Sequence, residues 1–374
     1  MLLPVAVLAL IATCGLIVLA VSTTRFGPVA ELVGIGAAIL PVGPVVAAFL
    51  WVDRWEPEPA RLLWYAFGWG ACVATITALL INNTAALLGE QLLGLGHGDV
   101  LAAVVSAPLF EEAAKGAFVL GVLLLMRDEF DGVIDGVVYA GMCAAGFAFT
   151  ENIYYFARAF SEQGLGTVDA PGVVAVFILR AVVSPFTHPL FTCMIGVGLG
   201  LAARSASPKM RWLAPIAGYL AAVLLHAAWN SMATFGNGSL FVNLYLLVMV
   251  PVFVFGVIFV NWHRRREQRL VAAALPAMAD TGLIAEAERE LLATLPGRKR
   301  WRAAVRRAGG RRAARSVGEY QVSVTELAFL RYRISRGTAG ADPRGQQLTL
   351  IAGLRAARAR ADEVAGTAEV TDRR

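Results

Sequence analysis

Residues 100–125 read VLAAVVSAPLFEEAAKGAFVLGVLLL, and this stretch decides the fold. About 20 apolar residues suffice to cross a bilayer as a helix, so its length is adequate. Yet Glu111, Glu112 and Lys115 sit near its centre, where an ionisable side chain costs on the order of 3 kcal/mol to insert. A charged trio in a spanning segment needs polar partners on neighbouring helices. The stretch therefore predicts a polytopic bundle with a polar interior.

Seven further apolar segments lie on either side of it: 2–20, 29–52, 62–88, 133–157, 172–203, 212–235 and 240–262. The expected fold class is an all-α integral membrane protein, a bundle of about eight transmembrane helices. Composition agrees, with 57% hydrophobic and only 16% charged residues, against about 25% charged in soluble domains. The segment 172–203 is too long for one straight crossing, and Pro185 predicts a kink, unless the segment starts on the membrane surface. Residues 2–20 read as a retained helix rather than a cleaved signal, because the first positive side chain, Arg25, lies beyond the apolar run. Cys14, Cys72, Cys143 and Cys193 each lie in an apolar run without CxxC spacing, as small buried hydrophobes do.

Charge divides the chain near Asn261. Residues 1–262 hold 10 Lys and Arg against 15 Asp and Glu, a net −5, while residues 263–374 hold 23 against 12, a net +11. The expected domains are a membrane domain, 1–262, and a basic tail, 263–374. The tail reads as helical over 283–308 and 323–336, broken at Gly309-Gly310, and disordered beyond about 356. With the N-terminus inside, the inside loops carry Arg54, Arg61, Arg127, Arg204, Lys209 and Arg211, and the outside loops only Arg25 and Arg158. His263-Arg264-Arg265-Arg266 then follows the last span, so both termini are expected to be cytoplasmic. Beside a bilayer, the basic runs suit anionic lipid better than nucleic acid, and a merely solvated surface better still, so no nucleic-acid partner is expected. Trp51, Trp55, Trp64 and Trp262 fall at helix ends, as interfacial anchors do.

Four other polar groups join the trio from other helices. Glu151 lies in GFAFTENIYYF, His188 in RAVVSPFTHPLFT, and His226 and Asn230 in LLHAAWNSM. Lys115 is four residues from Glu111 and three from Glu112, so it can pair with either, and one carboxylate is left over. His226 and Asn230 share a helix face. At 1.5 Å per residue, Glu111 lies roughly 16 Å below the outer edge, His226 about 14 Å, Glu151 about 9 Å and Asn230 about 8 Å, and His188 about 24 Å if its helix starts at 172, less if it starts later. Taken singly, Arg180, Asn230 and Asp135 read as packing or hydrogen-bonding residues. Taken together, carboxylates and histidines converging from four helices read as a site.

Such a site can activate water, directly through a carboxylate or through a metal, with an Asn or His stabilising the oxyanion. No HExxH or GxSxG is present. The candidate catalytic set is Glu111, Glu112, Glu151, His188, His226 and Asn230. His188, His226 and Glu151 are the candidate ligands if a metal such as zinc is held.

These residues carry a resemblance. EEAAK at Glu111–Lys115 looks like the EExxK of the PrsW family of intramembrane proteases, which is related to the CAAX prenyl endopeptidases and bacteriocin-immunity membrane proteins. FAFTEN at Phe147–Asn152 resembles its FxxxEN segment, His188 in HPLF its third-motif histidine, and HAAWN at His226–Asn230 its HxxxN. DRWEPEP at Asp53–Pro59 resembles its acidic, proline-rich loop. The resemblance spans roughly 30–235 and leaves the tail uncovered. It implies proteolysis within the membrane, of a membrane-anchored protein of the anti-sigma-factor kind. Where the wider superfamily has a histidine this chain has Glu151, which leaves ligand, base and structural partner open for that residue. A transporter or proton relay, an enzyme acting on prenylated peptides, and a non-catalytic scaffold remain alternatives at this stage. The first would favour inverted repeats, and none is visible.

Overall fold

The computed structural model describes residues 2–130, 132–167, 170, 172–236, 238–339 and 342–372. Helices are the regular structure throughout, with no strand among the described residues. The membrane elements are α1 Leu2–Phe26, α2 Pro28–Val52, α3 Ala60–Leu93, α4 98–125, α5 Val133–Gln163, α6 173–183, α7 Thr187–Ala203, α8 Pro208–Phe235 and α9 Gly238–Asp280. Among the described residues, seven helices are long and apolar enough to cross a membrane, with α6 and α7 counted as one passage. The run α4 has the length as well, and differs from the seven in carrying Glu111, Glu112 and Lys115 at its heart. The eighth expected span is thus the one that bears the charges. The passage 173–203 breaks at Ser184–Phe186, around Pro185, as proline's missing N–H and ring clash require.

The chain forms two compact units. The first comprises Met1–Trp51 and Glu58–Val257. Its axis is α5, whose most apolar window is 83% buried, against 28% or less for every other spanning helix. Small residues let the neighbours close on it, in the manner of GxxxG-type membrane packing. Gly132 and Gly136, at or just before the start of α5, face Gly196 and Gly200 of α7. A Cβ added to Gly136 or to Gly196 would lie 2.1 Å from the other's carbonyl oxygen. Gly198 and Gly218 bring α7 against α8 in the same way. Single π-helical turns interrupt α3 at Trp69–Ala74 and α4 at Ala102–Ser106, and one ends α6 at Ile178–Val183. Such turns re-aim side chains and recur at functional sites.

The second unit comprises Val52–Pro57 and Ile258–Arg374. Its main helices are α10 Leu295–Ser335 and α11 Pro343–Asp372. The break expected at Gly309-Gly310 is present, because Gly310 takes φ 77°, a left-handed conformation that glycine adopts without strain. Two expectations fail here. Disorder beyond 356 does not hold as far as Ala361. Leu354, Ala357 and Ala361 recur at helical spacing and are buried, the first two in a core with Tyr320 and Leu327. Trp55 is not an interfacial anchor. It is 3% exposed, packed with Leu275, Met278 and Leu292, and covered by the Arg298 guanidinium 4.8 Å from its ring centre. Arg298 donates to the carbonyls of Leu292 and Gln321 and to Thr325 Oγ1. Burial, with Arg302 nearby, holds its guanidinium down to about 9.

Candidate active site

Six helices meet around one polar cluster. Helix α4 supplies Glu111, Glu112 and Lys115, which share one face because they are three and four residues apart. All three are buried, Glu112 and Lys115 completely. Lys115 Nζ lies 2.6 Å from Glu112 Oε1 and 3.9 Å from Glu111 Oε2, and 4.2 Å from the centre of the Phe147 ring. Glu112 is fully engaged. Its Oε2 accepts from Thr192 Oγ1 of α7 at 2.8 Å, and its Oε1 meets His226 Nδ1 of α8 at 3.0 Å. A carboxylate bonded to Nδ1 sets that nitrogen as the donor and leaves Nε2 with its lone pair outward. His226 Nε2 lies 3.9 Å from Glu111 Oε2.

Glu151 of α5 plays a parallel part toward His188 of α7. Its Oε2 meets His188 Nε2 at 2.7 Å and also pairs with the guanidinium of Arg180 on α6. Arg180 Nε donates to Asn152 Oδ1 at 2.6 Å. His188 Nδ1 lies 3.5 Å from Lys115 Nζ, at the limit of a hydrogen bond. The two imidazoles stand with ring centres 5.2 Å apart, and Phe191 stacks on His226 at 5.3 Å. Asn230 donates to the carbonyl of Ala103 at 2.7 Å, and its amide retains a second N–H.

Glu111 differs from the other two carboxylates. Its Oε1 accepts from Asn82 Nδ2 of α3 at 3.1 Å. Its Oε2 is the one carboxylate oxygen among the described residues that is buried without a hydrogen-bond partner. Glu111, His188 and His226 line a cavity of about 760 Å³, together with Glu151, Arg180 and Asn230. A donor atom from each of Glu111, His188 and His226 falls within 4.8 Å of the other two.

That group fits a metal on its own chemistry. It offers one carboxylate and two imidazoles, a set that suits zinc. Each member is also tied by its other polar atom, Glu111 to Asn82, His226 to Glu112 and His188 to Glu151, as ligand orientation requires. Charge agrees. Three carboxylates face two fixed cations, Lys115 and Arg180, so the cluster as ionised carries one negative charge in excess.

Of the residues singled out from the sequence, all six lie around this cavity or one bond behind it. Glu151 falls outside the three-donor group, and Glu111 takes the carboxylate place in it. Arg180, read singly as a packing residue, ion-pairs with Glu151 inside the site. Asn82, Ser106 and Thr192 went unremarked. Their signal was a polar side chain in an apolar run, which is common in membrane helices and unspecific by itself.

The comparisons with known proteins agree with this geometry. The pattern defining the PrsW-protease family, described as PrsW family intramembrane metalloprotease, matches residues 58–256. The chain is similar to Protease PrsW of Geobacillus kaustophilus, 28% identical over 196 residues that cover 52% of this chain and 77% of the relative. It is similar to Protease PrsW of Bacillus subtilis, 26% identical over 59% of this chain and 89% of the relative. The Clostridioides difficile Protease PrsW is 31% identical over 42% of this chain and 62% of the relative. No solved structure matches the chain. The matched segment covers more than half of the protein and holds every residue of the cluster, and the chain belongs to the PrsW family of intramembrane metalloproteases.

Proposed function

We propose that this intramembrane protease cuts a peptide bond of a single-pass, membrane-anchored protein, of the anti-sigma-factor kind, with Glu111 as the proton acceptor for the attacking water. The observation that carries the reading is the Glu111 oxygen that is buried without a hydrogen-bond partner, 3.9 Å from His226 Nε2, in a cavity that His188 also lines. Glu111 Oε2 takes a proton from water as the water oxygen adds to the scissile carbonyl carbon. The second N–H of Asn230 faces the developing oxyanion. Glu111 then returns the proton to the amide nitrogen as the C–N bond breaks, leaving a new carboxylate and a new amine. Glu112 and Glu151 hold His226 and His188 in orientation, and Lys115 and Arg180 balance those carboxylates. Of the Glu111, His188 and His226 group, the two histidines are the residues that would hold a metal, zinc being one they suit, which leaves Glu111 Oε2 to take the proton. Bound there, it would acidify the water and polarise the carbonyl. His188 would offer Nδ1, whose contact with Lys115 is the weaker of its two.

The test is purified enzyme in detergent with tagged single-pass candidates, alongside elemental analysis. Chelation should abolish cleavage and zinc should restore it, and Glu111→Gln should be inactive while folded. Full activity in a metal-free preparation removes the metal from this reading. Full activity of Glu111→Gln removes the proton acceptor and with it the mechanism.

A further inference from the structure

Helix α3 is apolar on either side of Asn82-Asn83, and the Asn82 amide points into the cluster rather than back to its own helix. Its Nδ2 lies 3.1 Å from Glu111 Oε1, and its Oδ1 accepts from the hydroxyl of Ser106, 3.0 Å away. Ser106 is buried, and it ends the π-helical turn of α4 that precedes Glu111 by about one helical turn.

With Glu111 ionised, as a proton acceptor must be, the direction of this chain of bonds is fixed by chemistry. An ionised carboxylate only accepts, so the edge of Asn82 that meets Glu111 must be the NH2. The carbonyl edge then faces Ser106, whose hydroxyl must donate. Ser106 therefore holds Asn82 in one of its two amide orientations, and Asn82 occupies Oε1 of Glu111. The oxygen left over is Oε2, the one that faces His226 Nε2 at 3.9 Å. Without the amide, the carboxylate plane could turn about its terminal torsion, whose well is broad, and no oxygen would be held toward the cavity.

We propose that Asn82, held by Ser106, is a positioning residue that fixes the carboxylate plane of Glu111 so that one oxygen is bonded away and the other is presented to the cavity. The proposal rests on the reading of Glu111 as the working carboxylate. It makes α3, which supplies none of the residues identified from the sequence, part of the catalytic apparatus. It also gives Glu111 what Glu112 and Glu151 give to the histidines, a fixed partner on the side away from the reaction.

The experiment compares Asn82→Ala, Asn82→Asp, Ser106→Ala and the double variant Asn82→Ala/Ser106→Ala, with Thr84→Ala as a control on the exposed side of the same helix. Glu111→Gln is carried in parallel. Cleavage of one substrate gives kcat and KM, and chelator competition gives zinc affinity of the resting protein. Losing such an outer partner costs about 10- to 100-fold in activity or metal affinity, and the loss should fall on kcat with KM within about 2-fold. Asn82→Asp, which keeps the shape but sets a carboxylate against a carboxylate, should be worse than Asn82→Ala. Ser106→Ala should lose less, and the double variant should be no worse than Asn82→Ala alone, because Ser106 acts only through Asn82. Thr84→Ala should match wild type. If Asn82→Ala fails to fold, Asn82→Asp and Ser106→Ala carry the same comparison. Aspartate tolerated as well as alanine, additive losses in the double variant, or unchanged kcat with unchanged zinc affinity would each overturn the relay. An active Glu111→Gln overturns the underlying reading instead, so the two failures are told apart.

Discussion

Exchanging Lys115 for methionine asks whether the cluster is held together by charge. Methionine keeps most of the stem and removes an ammonium that is 0% exposed. That ammonium lies 2.6 Å from Glu112 and 3.9 Å from Glu111. Removing one partner of a buried pair costs about 3–5 kcal/mol, since the charge left behind has no compensation. Glu112 would keep Thr192 at 2.8 Å and His226 at 3.0 Å, which places the loss near the lower end, about 3 kcal/mol. A domain of 150–250 residues shifts by about 2–4 °C per kcal/mol, so the melting temperature in detergent should fall by about 6–12 °C. The double variant Glu112→Gln/Lys115→Met removes both charges together and should recover at least half of that fall. The assay is thermal unfolding followed by intrinsic fluorescence, on wild type, both single variants and the double variant. If Lys115→Met melts within about 2 °C of wild type, or the two losses simply add, the cluster is held by shape and the charge argument fails.

Three other outcomes follow from the fold. Gly196→Leu drives a side chain into the carbonyl of Gly136, 2.1 Å from where its Cβ would sit, so the yield of folded protein should collapse on size-exclusion chromatography, while Gly121→Leu, with open space around it, should fold normally. Trp55→Ala empties the core of the second unit at a cost of about 3–5 kcal/mol, and limited proteolysis should then cut the tail while leaving residues 60–250 intact. Reporter fusions after residues 98, 208 and 300 should read outside, inside and inside, in keeping with the arginine-rich loops, and an external reading at 208 would overturn that topology.

How much of this was legible in the sequence depends on the range of the interaction. The spans follow from local composition, and the Pro185 break from a single residue's geometry. The pairing of Lys115 with Glu112 follows from helical spacing alone, and the structure keeps it at 2.6 Å. Partners on different helices leave no such trace. Nothing in the spacing of Glu151 and Arg180, 29 positions apart, says that they touch. Asn82 and Glu111 are likewise 29 positions apart. Trp55 was misread for the same reason. A tryptophan at a helix end has two homes, the membrane interface and a soluble core, and the core that receives it is assembled from residues more than 200 positions later.

The same cluster separates the surviving rivals on cost. A scaffold that needed interhelical glue would be served by Glu112, Lys115 and Thr192, a bonded set that joins α4 to α7 and is neutral. Adding Glu111 brings a second carboxylate within 3.9 Å of the same ammonium and leaves one of its oxygens without a hydrogen bond. A buried polar atom left unpaired costs about 1–3 kcal/mol, more when charged, and returns nothing to packing. Arg180 does not relieve it, because its guanidinium is engaged by Glu151 and Asn152. The excess charge and the unpaired oxygen are therefore borne at one place, facing a cavity large enough for an extended peptide segment and flanked by two histidines already oriented by carboxylates. A hydrolase of the proposed kind would use that oxygen on every turnover. A relay would need a chain of polar groups to continue past the cavity, and α4 itself supplies none beyond Lys115, where Gly116, Val119 and Val122 are buried in apolar packing. On α4 the polar groups thus end at the cavity that Glu111 lines.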